Sequence, residues 1–186
     1  LGRNDFQVKI RGNRVETATR TLWHYLRRDG VVPIATETAI RAEIDETVEH
    51  LRAAEGAEPA EVDVRVVLRG RIDRVERDAE GVRIIDFKTG TSHPTGRELP
   101  DHGQLRAYQL AFRAGALAEH GAGPDEVELA AAALVHPELP QKPQKRNGYN
   151  PCKVSLQPAV PVEELDDLRH DLVGIALGQA GLPVAG

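Results

Sequence analysis

Asp73, Asp86 and Lys88 are the residues in this chain whose types and spacing suit chemistry, and all three fall in one alternating stretch, Leu68 to Gly90. Apolar positions at Ile72, Val75, Val82, Ile84 and Ile85 alternate with polar ones, and β-branched types dominate, which is a strand pattern. Asp78-Ala-Glu-Gly81 interrupts it with turn residues, so the segment reads as a β-hairpin. With Ala79 and Glu80 at the tip, Val75 faces Ile84 and Asp73 faces Asp86. Like charges directly opposite on a ladder repel, and a cation between them removes the conflict. Hard oxygen ligands converging on one point suit Mg²⁺ or Mn²⁺. Lys88 lies two residues beyond Asp86 and so projects from the same face. Two carboxylates, a divalent ion and an ammonium on one face suit attack on a phosphodiester. Taken one at a time, such charges more often make a solvated hairpin face, and an Asp near a strand end is often a cap. The matched register is what favours a site.

The elements around this hairpin must position it. Asp5–Arg11 alternates as a strand would, with Gly12-Asn13 as punctuation. Val15–Arg28 carries Ala18, Leu22, Tyr25 and Leu26 at helical spacing. Thr38–Ala54 reads as a second amphipathic helix, with Ile40, Ile44, Val48 and Leu51 on one face. A loop at Glu55–Pro59 precedes a strand at Val62–Leu68 that leads into the hairpin. After a Gly- and Pro-containing loop at Thr91–Pro100, the pattern predicts a helix over His102–His120, a buried strand over Glu126–Val135 and a polar loop over Leu139–Pro151. A short strand at Lys153–Leu156 and a last helix at Pro161–Gly178 close the chain, the helix with Val162, Leu165, Leu168, Leu172 and Ile175 as its apolar stripe. This order predicts an α/β sandwich, a central mixed sheet flanked by helices.

Composition narrows the function classes. The 186 residues suit one domain, and 40% hydrophobic with 28% charged content is that of a globular protein. A net charge of −5 excludes a broadly basic nucleic-acid coat, so any nucleic-acid contact must be a local patch or come from a partner. Lys142, Lys145 and Arg146, with Lys153, form the basic cluster, and Tyr149 among them has a ring on which a base can stack. A solvated loop accounts for the same residues equally well. Cys152 is the single cysteine, so the chain forms no internal disulfide and supplies no cysteine set for an iron–sulfur cluster. No apolar run approaches membrane-spanning length and no signal peptide is visible, so the expectation is a cytoplasmic protein without a membrane partner. The start at Leu1, the absence of Met and the ending Gly-Leu-Pro-Val-Ala-Gly read as a piece of a longer polypeptide.

Downstream of the hairpin, Gln104 and Tyr108 stand four apart and share one helix face. Together, Gly70-Arg-Ile-Asp-Arg-Val-Glu76, Ile84-Ile-Asp-Phe-Lys-Thr-Gly90 and Gln104-Leu-Arg-Ala-Tyr108 resemble the signature of the PD-(D/E)xK nuclease superfamily. The RecB-like branch is the nearest match. Gln104–Gly115 and Ala131–His136 resemble the AdnA/AdnB/AddB-type recombination helicase–nucleases in particular. The resemblance covers about residues 61 to 160, the expected catalytic core of a single nuclease domain spanning 1–186. It implies a restriction-endonuclease-like fold, with Asp73, Asp86 and the Phe87 carbonyl as ligands of Mg²⁺ or Mn²⁺. Lys88 would act on the attacking water and the phosphate, while Gln104 and Tyr108 shape the site. Thr89 and Gly90 continue the family's K-T-G. The resemblance further implies an exonuclease-type DNase acting on DNA single strands in recombination and double-strand-break repair, partnered by a helicase domain or subunit.

Two family features lack a clear counterpart. Many relatives have a metal-binding histidine on an upstream helix. His24 and His50 are available, but each reads as a surface histidine. Glu61 is a candidate for the acidic residue often found at the start of the strand before the hairpin. A catalytically inactive nuclease-like module that binds DNA or docks a partner is the alternative reading. A stand-alone exonuclease of phage or CRISPR type is a second.

Overall fold

A computed structural model describes residues 2–50, 60–90, 92–141 and 151–179. Helix α1 spans Gly2–Leu26, and strands β1 (Val32–His50), β2 (Ala60–Asp78) and β3 (Gly81–Phe87) follow. Helix α2 covers Gly103–Arg113, with a short 3-10 turn at Ala118–His120. Strands β4 (Leu129–Pro140) and β5 (Cys152–Pro158) and helix α3 (Val162–Gln179) complete the order. The five strands form one sheet in the order β1-β2-β3-β4-β5. Every pair is antiparallel except β3 and β4, which run parallel with α2 as their crossover.

One face of the sheet packs Ile72, Val75, Ile84 and Leu134 against Leu105, Tyr108 and Phe112 of α2. Ile44 on β1 joins Leu110 of α2 and Leu165 of α3 on the same side. The other face buries Ile85, Ala133, Val135 and Cys152 against Tyr25 of α1. The result is the expected α/β sandwich with a mixed sheet between helical layers. A buried ion cluster also fastens α1 to the sheet. Glu76, 1% exposed, accepts from Arg74 Nε at 2.7 Å and from the Tyr25 hydroxyl at 3.2 Å, and pairs with Arg28. Burial, with Glu76 beside it, pushes the Tyr25 hydroxyl far above its usual pKa, so it stays a donor.

The hairpin forms in the expected register, with Val75 opposite Ile84 and Asp78 opposite Gly81. Asp78 Oδ1 accepts from the Glu80 amide at 2.8 Å, an Asx turn at the tip. Gly81 is required by geometry. Its φ is +131°, and a Cβ there would stand 2.5 Å from the Glu128 carbonyl oxygen. That carbonyl takes the Val82 amide at 2.8 Å and starts the β3–β4 pairing.

Two expectations are corrected. Residues 38–50 of the expected second helix are strand β1, paired with β2 from Val32 to His50. A spacing of four between Ile40, Ile44 and Val48 fits a helix face and an alternating strand equally well, because four is even. Ala42, 2% exposed between buried Ile40 and Ile44, shows that the period is two. Residues 51–54 lie outside the described residues. Asp5–Arg11 belongs to α1, which runs straight through Gly12-Asn13. The sheet is made of β1 to β5 and does not include that segment.

Smaller shifts have local causes. Helix α2 stops at Arg113 because Gly115, at φ +81°, closes it. The Gly115 amide bonds Phe112 O at 2.9 Å and the Ala116 amide bonds Ala111 O at 3.0 Å, a Schellman ending. On α3, Leu165, Val173 and Leu177 are buried, whereas Val162 and Ile175 of the expected stripe face outward.

Candidate active site at the end of strand β3

The expected residues meet where β2 and β3 separate. Their ladder ends at the pair Arg74–Ile85, one step short of Asp73 and Asp86. Asp73 Oδ2 instead accepts the backbone amide of Phe87 at 2.7 Å, doing with a side chain what the next ladder bond would have done. On an antiparallel strand the N–H and C=O of one residue point toward the same neighbour. The Phe87 carbonyl therefore faces the Asp73 side. On the other flank β4 keeps its hold on β3, with Phe87 opposite Val135 and the Lys88 amide bonded to Val135 O at 2.8 Å.

Asp86 is 6% exposed, and its two oxygens have different partners. Oδ1 accepts from Gln104 Nε2 at 2.8 Å and from the Tyr108 hydroxyl at 3.2 Å. Oδ2 makes no hydrogen bond and has the Lys88 ammonium at 2.7 Å as its ion-pair partner. Gln104 sits between groups of opposite character. Its Oε1 accepts from Lys88 Nζ at 2.8 Å, and its Nε2 also donates to the Tyr108 oxygen at 2.9 Å. Only one amide orientation satisfies both neighbours, since a carboxylate only accepts and an ammonium only donates.

Tyr108 shares its single hydroxyl proton between Asp86 Oδ1 and the Arg71 carbonyl, the latter at 3.0 Å, which ties α2 to β2 just before Asp73. Burial, together with the charges of Asp86 and Asp73 and opposed by the bond from Gln104, pushes its hydroxyl up to about 12. It therefore remains protonated and donating. The placement of α2 rests on a buried amide network. Gln109 Nε2 donates to Gln157 Oε1 at 2.8 Å, and Gln157 Nε2 donates to the carbonyls of Leu99 and Pro100, both at 2.8 Å. The chain entering α2 is thereby held to β5, which fixes the helix that carries Gln104.

His136 is a neighbour that the sequence did not single out for a role. It lies one step beyond the pair Phe87–Val135, beside Lys88, and is 1% exposed with neither ring nitrogen hydrogen-bonded. Its ring meets that of His93 edge-on at 6.0 Å. Burial, with His93, Lys153 and Lys88 adding to it, holds the imidazole below its usual pKa, against the pull of Asp86. Knowing that β3 and β4 pair in parallel would have revealed its place, but that pairing is not written in the local pattern.

Other candidates fall elsewhere or outside the described residues. Lys142, Lys145, Arg146 and Tyr149 lie outside them. His24 lines a small cavity with Tyr25, Arg28 and Cys152. The His50 side chain is not among those described. Glu61 sits at the far end of β2, roughly 40 Å along the strand from Asp73 at about 3.3 Å per residue. Cys152 is buried, and burial pushes its thiol up to about 11.

The oxygens that would hold a hard divalent ion are those of Asp73, Asp86 and the Phe87 carbonyl. Among the described residues no group of three or more His, Cys, Asp and Glu gathers as a metal cage. A site of two carboxylates suits Mg²⁺, which keeps several waters and takes only one or two carboxylates from a protein. The buried Asp86 Oδ2, without a hydrogen bond, is an oxygen such an ion would satisfy. Among the described residues no helix is long and apolar enough to cross a membrane.

No curated protein matches the chain. A family model, that of the PD-(D/E)XK nuclease superfamily, matches residues 10–179. Members of that superfamily are generally nucleases and generally use divalent metals. With a matched region that takes in all five strands and the joined Asp86, Lys88, Gln104 and Tyr108, the chain belongs to the PD-(D/E)XK nuclease superfamily.

Proposed function

We propose that this chain is a metal-dependent DNase of the RecB-like branch, an exonuclease-type domain that hydrolyses phosphodiester bonds in DNA single strands. The observation that carries the reading is the set of contacts that joins Asp86, Gln104, Lys88 and Tyr108 beside Asp73. When bound at Asp73, Asp86 and the Phe87 carbonyl, Mg²⁺ or Mn²⁺ supplies Lewis acidity to a phosphoryl oxygen and to the attacking water. Lys88 has three ammonium donors; it gives one to Gln104 and pairs by charge with Asp86, which leaves donor capacity for a non-bridging phosphate oxygen. Gln104 holds that ammonium in place, and Tyr108 keeps Gln104 and Asp86 in register. Developing charge on the phosphate then meets a preset cation, which stabilises the transition state.

The partner implied is a helicase domain or subunit in recombination and double-strand-break repair. The net charge of −5 supports a need for it, since the chain lacks the broad positive field that grips DNA. A motor would raise the local concentration of strand at the site. The alternative, an inactive DNA-binding or docking module, draws on the same acidic balance. Labelled single- and double-stranded DNA incubated with the protein in Mg²⁺, Mn²⁺ or EDTA separates the two. Metal-dependent cleavage of single strands supports the nuclease, and its absence with every ion leaves the inactive module.

A further inference from the structure

A cleft of about 580 Å³ opens between α1 and the ends of β3 and β4, lined at one end by Lys88 and Thr89. Its walls are apolar, contributed by Val15, Ala18 and Leu22 of α1 and by Phe87 and Pro137 of the sheet. An ion pair between Arg14 and Glu138 ties helix to strand at its edge. The walls are pinned. Thr21 Oγ1 donates to the Pro137 carbonyl at 2.5 Å, and the Tyr25 ring stands edge-on to Phe87 at 6.0 Å. The cleft is thus a preformed feature with two chemistries, an apolar interior and a polar margin of Lys88, Thr89, Thr19, Arg14 and Glu138.

We propose that this cleft receives one unstacked nucleobase of a DNA single strand, next to the phosphate engaged by Lys88. The proposal rests on the nuclease reading above and names a subsite for it. Lys88 touches Asp86 and Gln104 on the α2 side and lines the cleft on the α1 side. Because Lys88 belongs to both, a strand with a phosphate at Lys88 would have its neighbouring nucleotide beside the cleft. A base has two apolar faces and a polar edge, and apolar walls with a polar margin match both. A paired base is stacked and cannot enter, so the cleft selects single strands at no further cost.

The test is a two-by-two comparison. Wild-type protein and Ala18→Trp, which fills the cleft from the half-buried inner face of α1, are each titrated by fluorescence anisotropy in EDTA and low salt. One single strand carries ordinary bases and a second of equal length is wholly abasic. The expected result is that Ala18→Trp weakens binding of the ordinary strand roughly tenfold, the weight of one stacked base, and leaves the abasic strand unchanged. Equal weakening of both strands, no weakening of either, or no binding of the ordinary strand by wild type overturns the proposal. Should Ala18→Trp not fold, Val15→Trp, whose native side chain is 66% exposed, fills the cleft from its rim. Because nothing is cut in EDTA, the comparison stands whether or not the protein cleaves DNA. Cleavage with a flat comparison removes the base subsite and keeps the nuclease. A positive comparison without cleavage in any metal keeps the subsite and removes the nuclease.

Discussion

Replacing Gln104 by Glu tests the assigned amide orientation with almost no change of shape. The side chain keeps its length, and one oxygen still accepts from Lys88, now as an ion pair. The other position changes from a donor 2.8 Å from Asp86 Oδ1 to an acceptor at the same place. Two charges 4 Å apart interact by about 4 kcal/mol at an effective dielectric near 20. Lys88 is about a third exposed and lies next to both carboxylates, so its attraction offsets part of this. A net destabilisation of about 2 kcal/mol at neutral pH is expected, or a drop in Tm of roughly 4–8 °C for a domain of this size. The sign with pH follows from the repulsion. It raises a carboxyl pKa in the folded state above its unfolded value near 4.3. The variant is therefore close to wild type at pH 4.5 and loses stability as pH rises through that raised value. Mg²⁺ should restore more stability to the variant than to wild type, because an added cation removes a larger conflict. Gln104→Leu, by contrast, loses its bonds without gaining charge and should show a pH-independent loss of about 1–2 kcal/mol. Thermal unfolding at pH 4.5 and 7.5, in EDTA and then in Mg²⁺, reads all of these. If Gln104→Glu matches wild type at pH 7.5 in EDTA, Gln104 does not donate to Asp86 and the site geometry is wrong.

Asp86→Asn keeps the shape of the carboxylate and removes its charge, so Mn²⁺ binding by calorimetry and DNA cleavage should both be lost. Stability should change by only about 1 kcal/mol, as relief from Asp73 balances loss of the Lys88 pair; wild-type cleavage by this variant would disprove the metal site. Lys88→Ala should lower the single-turnover rate by orders of magnitude and leave DNA affinity within a few-fold, since its free donor acts on charge that develops in the transition state. Equal losses of rate and affinity would make Lys88 an anchor only. For His136, burial holds the folded pKa below the unfolded value near 6.5. Its contribution is present above that value and lost as pH falls through the folded pKa. Urea midpoints at pH 7.5 and 5.5 should therefore fall less for His136→Phe than for wild type, and parallel curves would show that the imidazole is not held neutral.

What the sequence made legible was local. The hairpin register followed from one turn, Asp78 to Gly81, and from alternation on both sides of it, so Asp73 and Asp86 could be aligned before any fold was known. Gln104 and Tyr108 were legible because a helix repeats within four residues. What was hidden depends on partners far away in sequence. The apolar residues of strand β1 fit the helical period and the strand period alike, and pairing with β2 settles which applies. His136 carried no local signal, since its neighbourhood with Lys88 arises from parallel pairing across the crossover of α2. The cleft walls on α1 were equally unreadable. Ala18 and Leu22 look like an ordinary apolar stripe, and half of what they face is supplied by strand ends more than sixty residues later.

The sheet itself explains why so much charge can gather at this point. Strand β3 is released by its two neighbours at different places. β2 lets go after Arg74–Ile85, while β4 holds on through the Lys88 amide. Had both ladders ended together, the end of β3 would fray and no side chain there would be fixed. Had both continued, the Phe87 amide would be spent on backbone and unavailable to Asp73. The staggered release leaves a notch in which one backbone amide, one side-chain amide, one phenol and one ammonium are shared among two carboxylates. Three of those donors are locked by the fold. The ammonium of Lys88 alone sits on a flexible stem, and it serves the one Asp86 oxygen that has no hydrogen bond. On the nuclease reading that difference is useful. The fixed donors hold the carboxylates in place, while Lys88, steadied by its bond to Gln104, keeps donor capacity to offer a phosphate.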